Sequence, residues 1–415
     1  MGLIISVPVG FIFTSYFGVI PDEVLSFFHL DGVCDSAKQG LNGHCWGDFF
    51  LPYEALKSVN PWASNPAFAY PPMGLFVWAP FLVLGNTFGE NFALVCFLGA
   101  GLFAQVMPAL DARYREKWIS DKGMILVCAI TLSSVGFLAV LDRGNNAIFL
   151  SPLVYYFVKY SQKQNLKLAF VFGLLIVALK PQLALLGIVI FAKWGVRKFA
   201  LWILGSVASV FAPFALYGSL AIVNAKSFVH NFISFFGYGE YGAPYPLNLS
   251  LKNTLELGFN LLGLQRLDFL IQIANFTLAT AALLYLVALA KKYSWQSSVF
   301  VTLSYLFVFS GTTFDYYLCL LSFFIIHIVS LTSEYGKATQ TLSEIFETRS
   351  GGWATGLLLV LLTSPLLLPL SLFFPSVLHS PVSATLMLGK LLLPMALIVF
   401  LAFRRHEIKF VLADK

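Results

Sequence analysis

The feature that most constrains the fold is a succession of long apolar segments spread over most of the chain. A helix needs about 20 apolar residues to cross the hydrocarbon of a bilayer. Of the 415 residues, 58% are hydrophobic and only 11% are charged, whereas soluble domains carry roughly 25% charged residues. The pattern therefore predicts an all-α polytopic membrane protein, built as a single integral membrane domain over residues 1–415. The candidate segments are 3–21, 70–86, 91–110, 123–141, 146–160, 166–192, 199–217, 267–290, 297–330, 355–374 and 380–403.

Two of these segments are interrupted by polar residues near their middle. Lys180-Pro181-Gln182 breaks the segment 166–192, and Ser-Gly-Thr-Thr-Phe-Asp at 310–315 breaks the segment 297–330. Helices at membrane depth tolerate such breaks only where the freed backbone lines a protein cavity or water. Each interrupted segment is therefore expected to form two helices that meet at a polar apex, which gives a bundle of about 11–13 transmembrane or re-entrant helices.

The distribution of basic residues predicts the orientation of the chain. Of the 26 Lys and Arg residues, 18 lie in one alternating set of loops and 7 in the other, and the richer set faces the cytoplasm. The two longest polar stretches, 22–69 and 218–266, then form loops on the outer face. If 70–86 and 91–110 both cross, loop 111–122 shares a side with 22–69. Either one of these two segments enters and returns, or 111–122 lies outside.

Asp48 is a carboxylate placed among aromatic residues immediately before an apolar segment. The stretch Cys-Trp-Gly-Asp-Phe-Phe at 45–50 surrounds it with rings. One interpretation is a helix cap or a solvated loop residue. The other is that Asp48 carries out chemistry on a molecule that the membrane delivers.

Three further clusters of polar residues lie at the predicted outer edge. Lys180 is a cation inside an apolar run, which requires an anionic partner unless its ammonium reaches the interface. Arg143 lies in Asp-Arg-Gly-Asn-Asn at 142–146, where it could instead pair with Asp142 or cap the next helix. Asp315 and Tyr316 are either substrate contacts or the N-terminal cap of a helix.

Two features of the predicted outer loops have alternative interpretations. The aromatic stretch 235–242 suits stacking on a sugar ring, and it equally suits anchoring at the membrane interface. Cys34 and Cys45 are candidates for a disulfide if their loop faces an oxidising compartment, and otherwise they are two thiols.

The sequence contains no phosphate-binding glycine loop, no dinucleotide fingerprint and no nucleophile elbow. The six His residues do not cluster, and no spacing typical of metal ligands is present. The net charge of +6 is scattered between apolar runs rather than concentrated, which argues against nucleic acid as a partner. We therefore expect no cofactor, and an activated substrate that does not depend on bound nucleotide.

Eight short motifs follow one another in a recognisable order. They are D-F-x-x-x-Y at Asp48 and Tyr53, N-P-W at 60–62, F-A-Y-P-P at 68–72, A-P-F at 79–81, R-G-N-N at 143–146, A-L-K-P at 178–181, N-L-S-L at 248–251 and F-D-Y-Y-L at 314–318. In this order the chain resembles the GT-C superfamily of membrane glycosyltransferases, of the GT87 (DUF2029) type that contains bacterial mannosyl- and arabinosyltransferases. The resemblance covers nearly the whole chain. The family often has G-Q-x-N where this sequence has Gly144-Asn145-Asn146.

The resemblance implies an enzyme of the bacterial plasma membrane whose active site faces away from the cytoplasm. It would transfer one sugar, mannose or arabinose, from a polyprenyl-phosphate carrier to a glycolipid or cell-envelope glycan, with inversion at the anomeric carbon. Asp48 occupies the position of the catalytic aspartate, although Asp31 and Asp35 share its loop. Lys180 is expected near the donor phosphate. The further candidates for substrate binding are Tyr53, Tyr70, Arg143, Asn145, Asn146, Asn248, Asp315 and Tyr316.

Three other functions fit parts of the same pattern. A transporter or lipid flippase would use the same broken helices, although the two halves of the chain show no repeat. An O-antigen-type ligase or polymerase would share the lipid-linked donor but transfer a preassembled glycan. A scaffold would explain the apolar segments and leave the polar clusters unexplained.

Overall fold

The structure is a computed structural model that describes residues 46–64, 68–132, 134–237, 268–292 and 294–309, together with eight isolated positions between 252 and 326. Every regular element in these ranges is helical. Several predictions fall outside the described residues: the segments 3–21, 355–374 and 380–403, the apex at 310–315, and residues Asp31, Cys34, Asp35, Cys45, Asn248, Asp315 and Tyr316. The α-helices are α1 (Gly47–Ala55), α2 (Pro61–Ser64), α3 (Pro72–Phe76), α4 (Ala79–Phe88), α5 (Glu90–Leu110), α6 (Asp121–Leu132), α7 (Val135–Arg143), α8 (Leu150–Gln162), α9 (Leu166–Leu179), α10 (Gly187–Trp194), α11 (Val196–Phe211), α12 (Ala221–Gly237), α13 (Asp268–Lys292) and α14 (Trp295–Phe309).

Three helices in the described ranges are long and apolar enough to cross a membrane. They are Glu90–Arg115, Val196–Ser234 and Phe269–Ala288, with 26, 39 and 20 residues, and the second of them contains a 3-10 stretch and a kink at Gly218. Large apolar side chains on them are exposed, among them Leu204 and Phe276, as expected for surfaces that contact lipid. The chain is therefore an α-helical membrane protein.

The predicted break at Lys180 is confirmed. Helix α9 ends at Leu179, Lys180 has extended φ and ψ angles, and a 3-10 helix begins at Pro181 and leads into α10. A proline ring disfavours the helical region for the residue before it, and at Lys180 this coincides with the end of α9. The 14 residues of α9 extend only about 21 Å at 1.5 Å per residue, which is less than the roughly 30 Å of hydrocarbon.

The segment predicted at 70–86 is a broken helix. Its two parts, α3 and α4, have 5 and 10 residues, whereas α5 continues through a π-helical turn (Asp111–Arg115) into the predicted loop 111–122. Pro72–Phe88 is shorter than a membrane span, and Glu90–Arg115 is long enough for one. Of these two segments, the second is the one that meets the length of a membrane span.

Both stretches predicted as outer loops contain helices. Residues 46–64 of the first carry α1 and α2, and α12 occupies Ala221–Gly237 of the second. Polar residues at 224, 226, 227, 230 and 231 lower the hydropathy of α12, which explains the prediction of a loop. Gly218, at φ +58°, separates α12 from the preceding helix.

The chain divides into two compact units. One unit contains 106–138 and the residues from 244 onward, and within it α13 packs on α14 with the Tyr305 hydroxyl donating to the Ala279 carbonyl at 3.2 Å. The other unit contains 25–105 and 139–243. Each unit therefore has helix packing of its own.

A buried tryptophan organises the second unit around the broken segment. Trp202 of α11 donates from Nε1 to the Ala184 carbonyl at 2.8 Å. A Cβ atom added to Gly173 or Gly187 would lie 2.5 Å from its ring, so both helices adjoining the break approach the indole closely. The packing of α9 and α10 on α11 thus fixes the position of Lys180.

Candidate functional site

The Asp48 carboxylate and the Arg143 guanidinium form a two-point ion pair across 95 residues of sequence. Arg143 Nε donates to Asp48 Oδ2 at 2.7 Å, and Nη2 donates to Oδ1 at 3.2 Å. The two side chains are only 14% and 13% exposed. Two parallel N–H···O bonds fix both the distance and the orientation of the two groups.

Arg143 is the last residue of α7, and the way that helix ends places it. Gly144 has φ +65°, its N–H donates to the Leu141 carbonyl at 3.3 Å, and the Asn145 N–H donates to the Val140 carbonyl at 3.2 Å. These two bonds define a Schellman motif, which requires a left-handed residue after the helix and favours glycine there. The R-G-N-N motif is therefore a helix end.

The backbone of Gly144 lies directly against the start of α1. A Cβ atom at residue 144 would lie 2.7 Å from Phe49 Cβ and 3.4 Å from Trp46 Cβ. Trp46 itself has φ +64°, and a left-handed conformation costs a non-glycine residue about 1–2 kcal/mol. Close approach of these two backbones brings Asp48, in the first turn of α1, to Arg143.

The cap interpretation of Asp48 finds no support in the geometry of α1. The N-terminal cap is Trp46, which makes no side-chain cap bond. The carboxylate instead accepts hydrogen bonds from Arg143 and Asn145.

Asn145 uses both ends of its amide inside the protein and is fully buried. Its Nδ2 donates to Asp48 Oδ2 at 2.8 Å and to the Tyr70 hydroxyl at 2.9 Å. Its Oδ1 accepts the Ala147 N–H at 2.9 Å and caps the 3-10 helix Asn146–Phe149. Asn145, predicted as a substrate contact, therefore orients Asp48 and Tyr70.

Tyr70 joins Asn145 to Lys180. The Lys180 Nζ lies 4.7 Å from the centre of the Tyr70 ring, a cation–π distance, and Lys180 is 6% exposed. Helix α9, which ends beside Lys180, packs on α3, which follows Tyr70. Five of the predicted residues are thus connected: Asp48, Tyr70, Arg143, Asn145 and Lys180.

The main chain around Tyr70 is held by residues that sequence reasoning did not select as site residues. Trp62 donates from Nε1 to the Tyr70 carbonyl at 2.7 Å. Asn231 of α12 donates to the carbonyls of Trp62 and Phe68 at 2.8 and 3.0 Å. Asn231 lies in the stretch predicted as a loop, and a polar residue at this position gave no signal of its own.

Tyr53, predicted as a substrate contact, is a packing residue in the structure. It is 1% exposed, and its ring stacks on Phe49 at a centroid distance of 5.4 Å. A Cβ atom at Gly85 would overlap its hydroxyl. Burial raises the pKa of the Tyr53 phenol above its ordinary value, and the Glu90 carboxylate adds to this effect.

Asn146 differs from its neighbour Asn145 in having no hydrogen bond from its side chain. It is fully buried, and neither amide atom has a hydrogen-bond partner among the described residues. Its Nδ2 faces Gly74 of α3, where an added Cβ atom would lie 3.5 Å away.

The site combines two cations with one carboxylate, which is the charge pattern that an anion with an adjacent polar group requires. Arg143 and Lys180 are the cations, and Asp48 is the carboxylate. Within the described ranges, no group of three His, Cys, Asp or Glu side chains is arranged to hold a metal ion.

Comparisons of the chain with protein-family models, with curated proteins and with solved structures give no match.

Proposed function

We propose that the chain is an integral membrane glycosyltransferase that transfers a single sugar from a polyprenyl-phosphate carrier to a glycolipid or glycan acceptor. The observation that carries this proposal is the largely buried ion pair between Asp48 and Arg143, joined through Asn145 and Tyr70 to Lys180. This cluster offers a carboxylate to an acceptor and two cations to a lipid phosphate, and the described part of the chain contains three helices long and apolar enough to cross a membrane.

The chemistry of the transfer uses each of these groups. The acceptor oxygen attacks the anomeric carbon as its proton passes to Asp48, and the bond between that carbon and the phosphate oxygen breaks. The leaving phosphate gains negative charge, which Arg143 and Lys180 would stabilise. One direct displacement through an oxocarbenium-like state inverts the anomeric configuration.

The hydrogen bonds of Asp48 leave room for this role. A carboxylate offers about four acceptor positions, and Asp48 accepts three bonds, two from Arg143 and one from Asn145. One position stays open to an acceptor hydroxyl. The same three bonds hold the carboxylate in one orientation, which lowers the entropic cost of the reaction.

The test is a transfer assay on the purified protein in detergent, with synthetic polyprenyl-phosphate mannose and arabinose as donors and a membrane lipid extract as acceptor. Asp48→Asn is expected to lower the transfer rate about 10²- to 10⁴-fold, the usual contribution of a general base. Asp121→Asn is the matched control, because Asp121 forms an equivalent two-point pair with Arg113 in the other unit. Full transfer by Asp48→Asn would contradict the assignment.

A transporter or lipid flippase is the second candidate, and the broken segment at Lys180 favours it. An extended residue that carries a buried cation between two short helices is also the arrangement in which transporters bind substrates. Reconstituted vesicles distinguish the two functions. Uptake driven by a counterion gradient, without any transfer product, would favour transport.

A further inference from the structure

We propose that Asn146 recognises the sugar at this site, and that its amide binds two neighbouring hydroxyl groups of the glycosyl unit. The inference rests on the proposed function for the identity of the lipid carrier only. It assigns the adjacent residues of the Asn145-Asn146 pair to different tasks, orientation of Asp48 for the first and recognition of the ligand for the second.

The contrast in hydrogen bonding between the two amides carries the assignment. Asn145 makes three side-chain bonds, to Asp48, Tyr70 and the Ala147 N–H. Asn146 makes none, although both residues are fully buried. A buried amide without partners destabilises the fold, and such groups require a specific explanation.

The chemistry of an amide points to hydroxyl groups as its ligand. Asn146 presents two N–H donors and one carbonyl acceptor. An ionised phosphate has acceptors only and would leave the amide oxygen unpaired, whereas two neighbouring hydroxyls can accept from Nδ2 and donate to Oδ1. In this proposal Arg143 and Lys180 bind the phosphate of the glycosyl phosphate, and the Asn146 amide binds the hydroxyl groups of its sugar.

Gly74 provides the space beside the amide. An added Cβ atom would meet Pro71 Cδ at 3.2 Å and Asn146 Nδ2 at 3.5 Å, and no closer atom. A methyl group at this position would press on the Pro71 ring and contact the amide nitrogen, so the glycine keeps this side of the amide uncrowded. It lies on α3, four residues after Tyr70, whose hydroxyl binds Asn145.

A second buried asparagine supplies a matched control. Asn224 of α12 is also fully buried, and neither of its amide atoms has a partner. No hydrogen bond joins it to Asp48, Arg143 or Asn145 in the described part of the chain. Leucine at either position removes an unpaired amide and keeps the branching and the number of heavy atoms of the side chain, and it should leave the thermal midpoint unchanged or raise it.

The experiment measures binding to the full chain in detergent by thermal stabilisation and by calorimetry. The probes are farnesyl phosphate and its mannosyl, arabinosyl, glucosyl and galactosyl derivatives. We expect wild-type protein to bind at least one sugar-bearing probe more tightly than farnesyl phosphate. Asn146→Leu should weaken that probe about tenfold, the contribution of a typical hydrogen bond or two, and leave farnesyl phosphate unchanged. Asn224→Leu should change neither.

Gly74→Ala tests the same site without touching the amide. It should weaken the sugar-bearing probe and spare farnesyl phosphate, since the added methyl group occupies space beside Nδ2. This variant keeps the proposal open to contradiction should Asn146→Leu not fold.

The outcomes separate this inference from the proposed function. The inference is wrong if no sugar-bearing probe binds better than farnesyl phosphate, or if Asn146→Leu leaves the difference intact, as an ordered water on the amide predicts. Sugar binding that depends on Asn146 in a protein without transfer activity would remove the proposed enzyme and keep the sugar site.

Discussion

Two of the Asp–Arg pairs in the described part of the chain have nearly the same two-point geometry in very different surroundings. Arg143 binds Asp48 at 2.7 and 3.2 Å, and Arg113 binds Asp121 at 2.6 and 3.1 Å. The first pair is 14% and 13% exposed, the second 29% and 64%. Equal bond lengths therefore do not imply equal roles.

The difference lies in what surrounds each pair. Asp48 also accepts a hydrogen bond from the Asn145 side chain. That side chain also donates to the Tyr70 hydroxyl and accepts the Ala147 N–H. Asp121 lies only eight residues from Arg113, so a short stretch of chain is enough to bring the two side chains together. Exposed pairs contribute little to stability because water competes for both charges. A buried pair is costly to break, since the remaining charge is left unpaired.

The largest effect is expected from exchanging the charges within each pair. Asp48→Arg with Arg143→Asp should not restore the pair, because the Asn145 amide donates to residue 48 and cannot donate to an arginine. If the pair does not form again, each of the two largely buried charges lacks its partner, and we expect a loss of about 3–5 kcal/mol. Asp121→Arg with Arg113→Asp should fold as the wild type does. Thermal midpoints in detergent check both, and equal tolerance of the two exchanges would remove the distinction.

The next largest effect is expected from Gly144→Ala. The substitution adds left-handed strain of about 1–2 kcal/mol and a contact at 2.7 Å with Phe49 Cβ, where overpacking costs about 1–3 kcal/mol. The helix end should move away from α1, and transfer should fall with stability. Gly195→Ala is the control: its φ is +81°, but its Cβ would meet nothing within 4 Å. It should lose stability without loss of transfer.

A smaller effect is expected from Asn231→Leu. Asn231 holds the main chain near Tyr70, and through it the surroundings of the Asp48–Arg143 pair. The substitution leaves the carbonyls of Trp62 and Phe68 without their bonds from Asn231, at a cost of about 1–3 kcal/mol. Asn224→Leu, seven residues earlier on α12, should leave the stability of the protein unchanged or raise it. Thermal midpoints of the two variants provide the comparison, and a stabilising Asn231→Leu would contradict it.

The smallest effect is expected from the pH dependence of the exposed pair. The hydrogen bond from Arg113 holds the pKa of the Asp121 carboxyl below its ordinary value. A group with a lowered pKa in the folded state stabilises that state above its unfolded pKa, and the contribution is lost as the pH falls through the folded pKa. Wild type should therefore differ slightly from Asp121→Asn near neutral pH and not at acid pH. A difference that grows toward acid pH would reverse the sign of this interaction.

Part of the site could be predicted from single residues. The Lys180-Pro181 pair predicts the end of α9, since proline acts on its immediate neighbour, and Asp48 and Arg143 stand out as charges beside apolar runs. The pairing of the two could not be predicted, because residues 95 positions apart carry no local sign of contact.

Other features of the structure could not be predicted, for identifiable reasons. Tyr53 and Asn145 both have side chains that could bind a ligand. The structure shows in addition that Tyr53 packs over Gly85 and that Asn145 donates a hydrogen bond to Asp48. The helix α12 was missed because its polar residues resemble those of a loop, although Asn224 and Asn231 are buried.

The most direct test of the central claim is an experimental structure with a farnesyl phosphonate mannoside, in which a carbon atom replaces the bridging oxygen. We predict phosphonate oxygens within hydrogen-bond distance of Arg143 and Lys180, with the sugar ring between Asp48 and Asn146. An analogue bound elsewhere, with Asp48 and Arg143 still closed on each other and shielded from it, would show that the pair only holds the fold together.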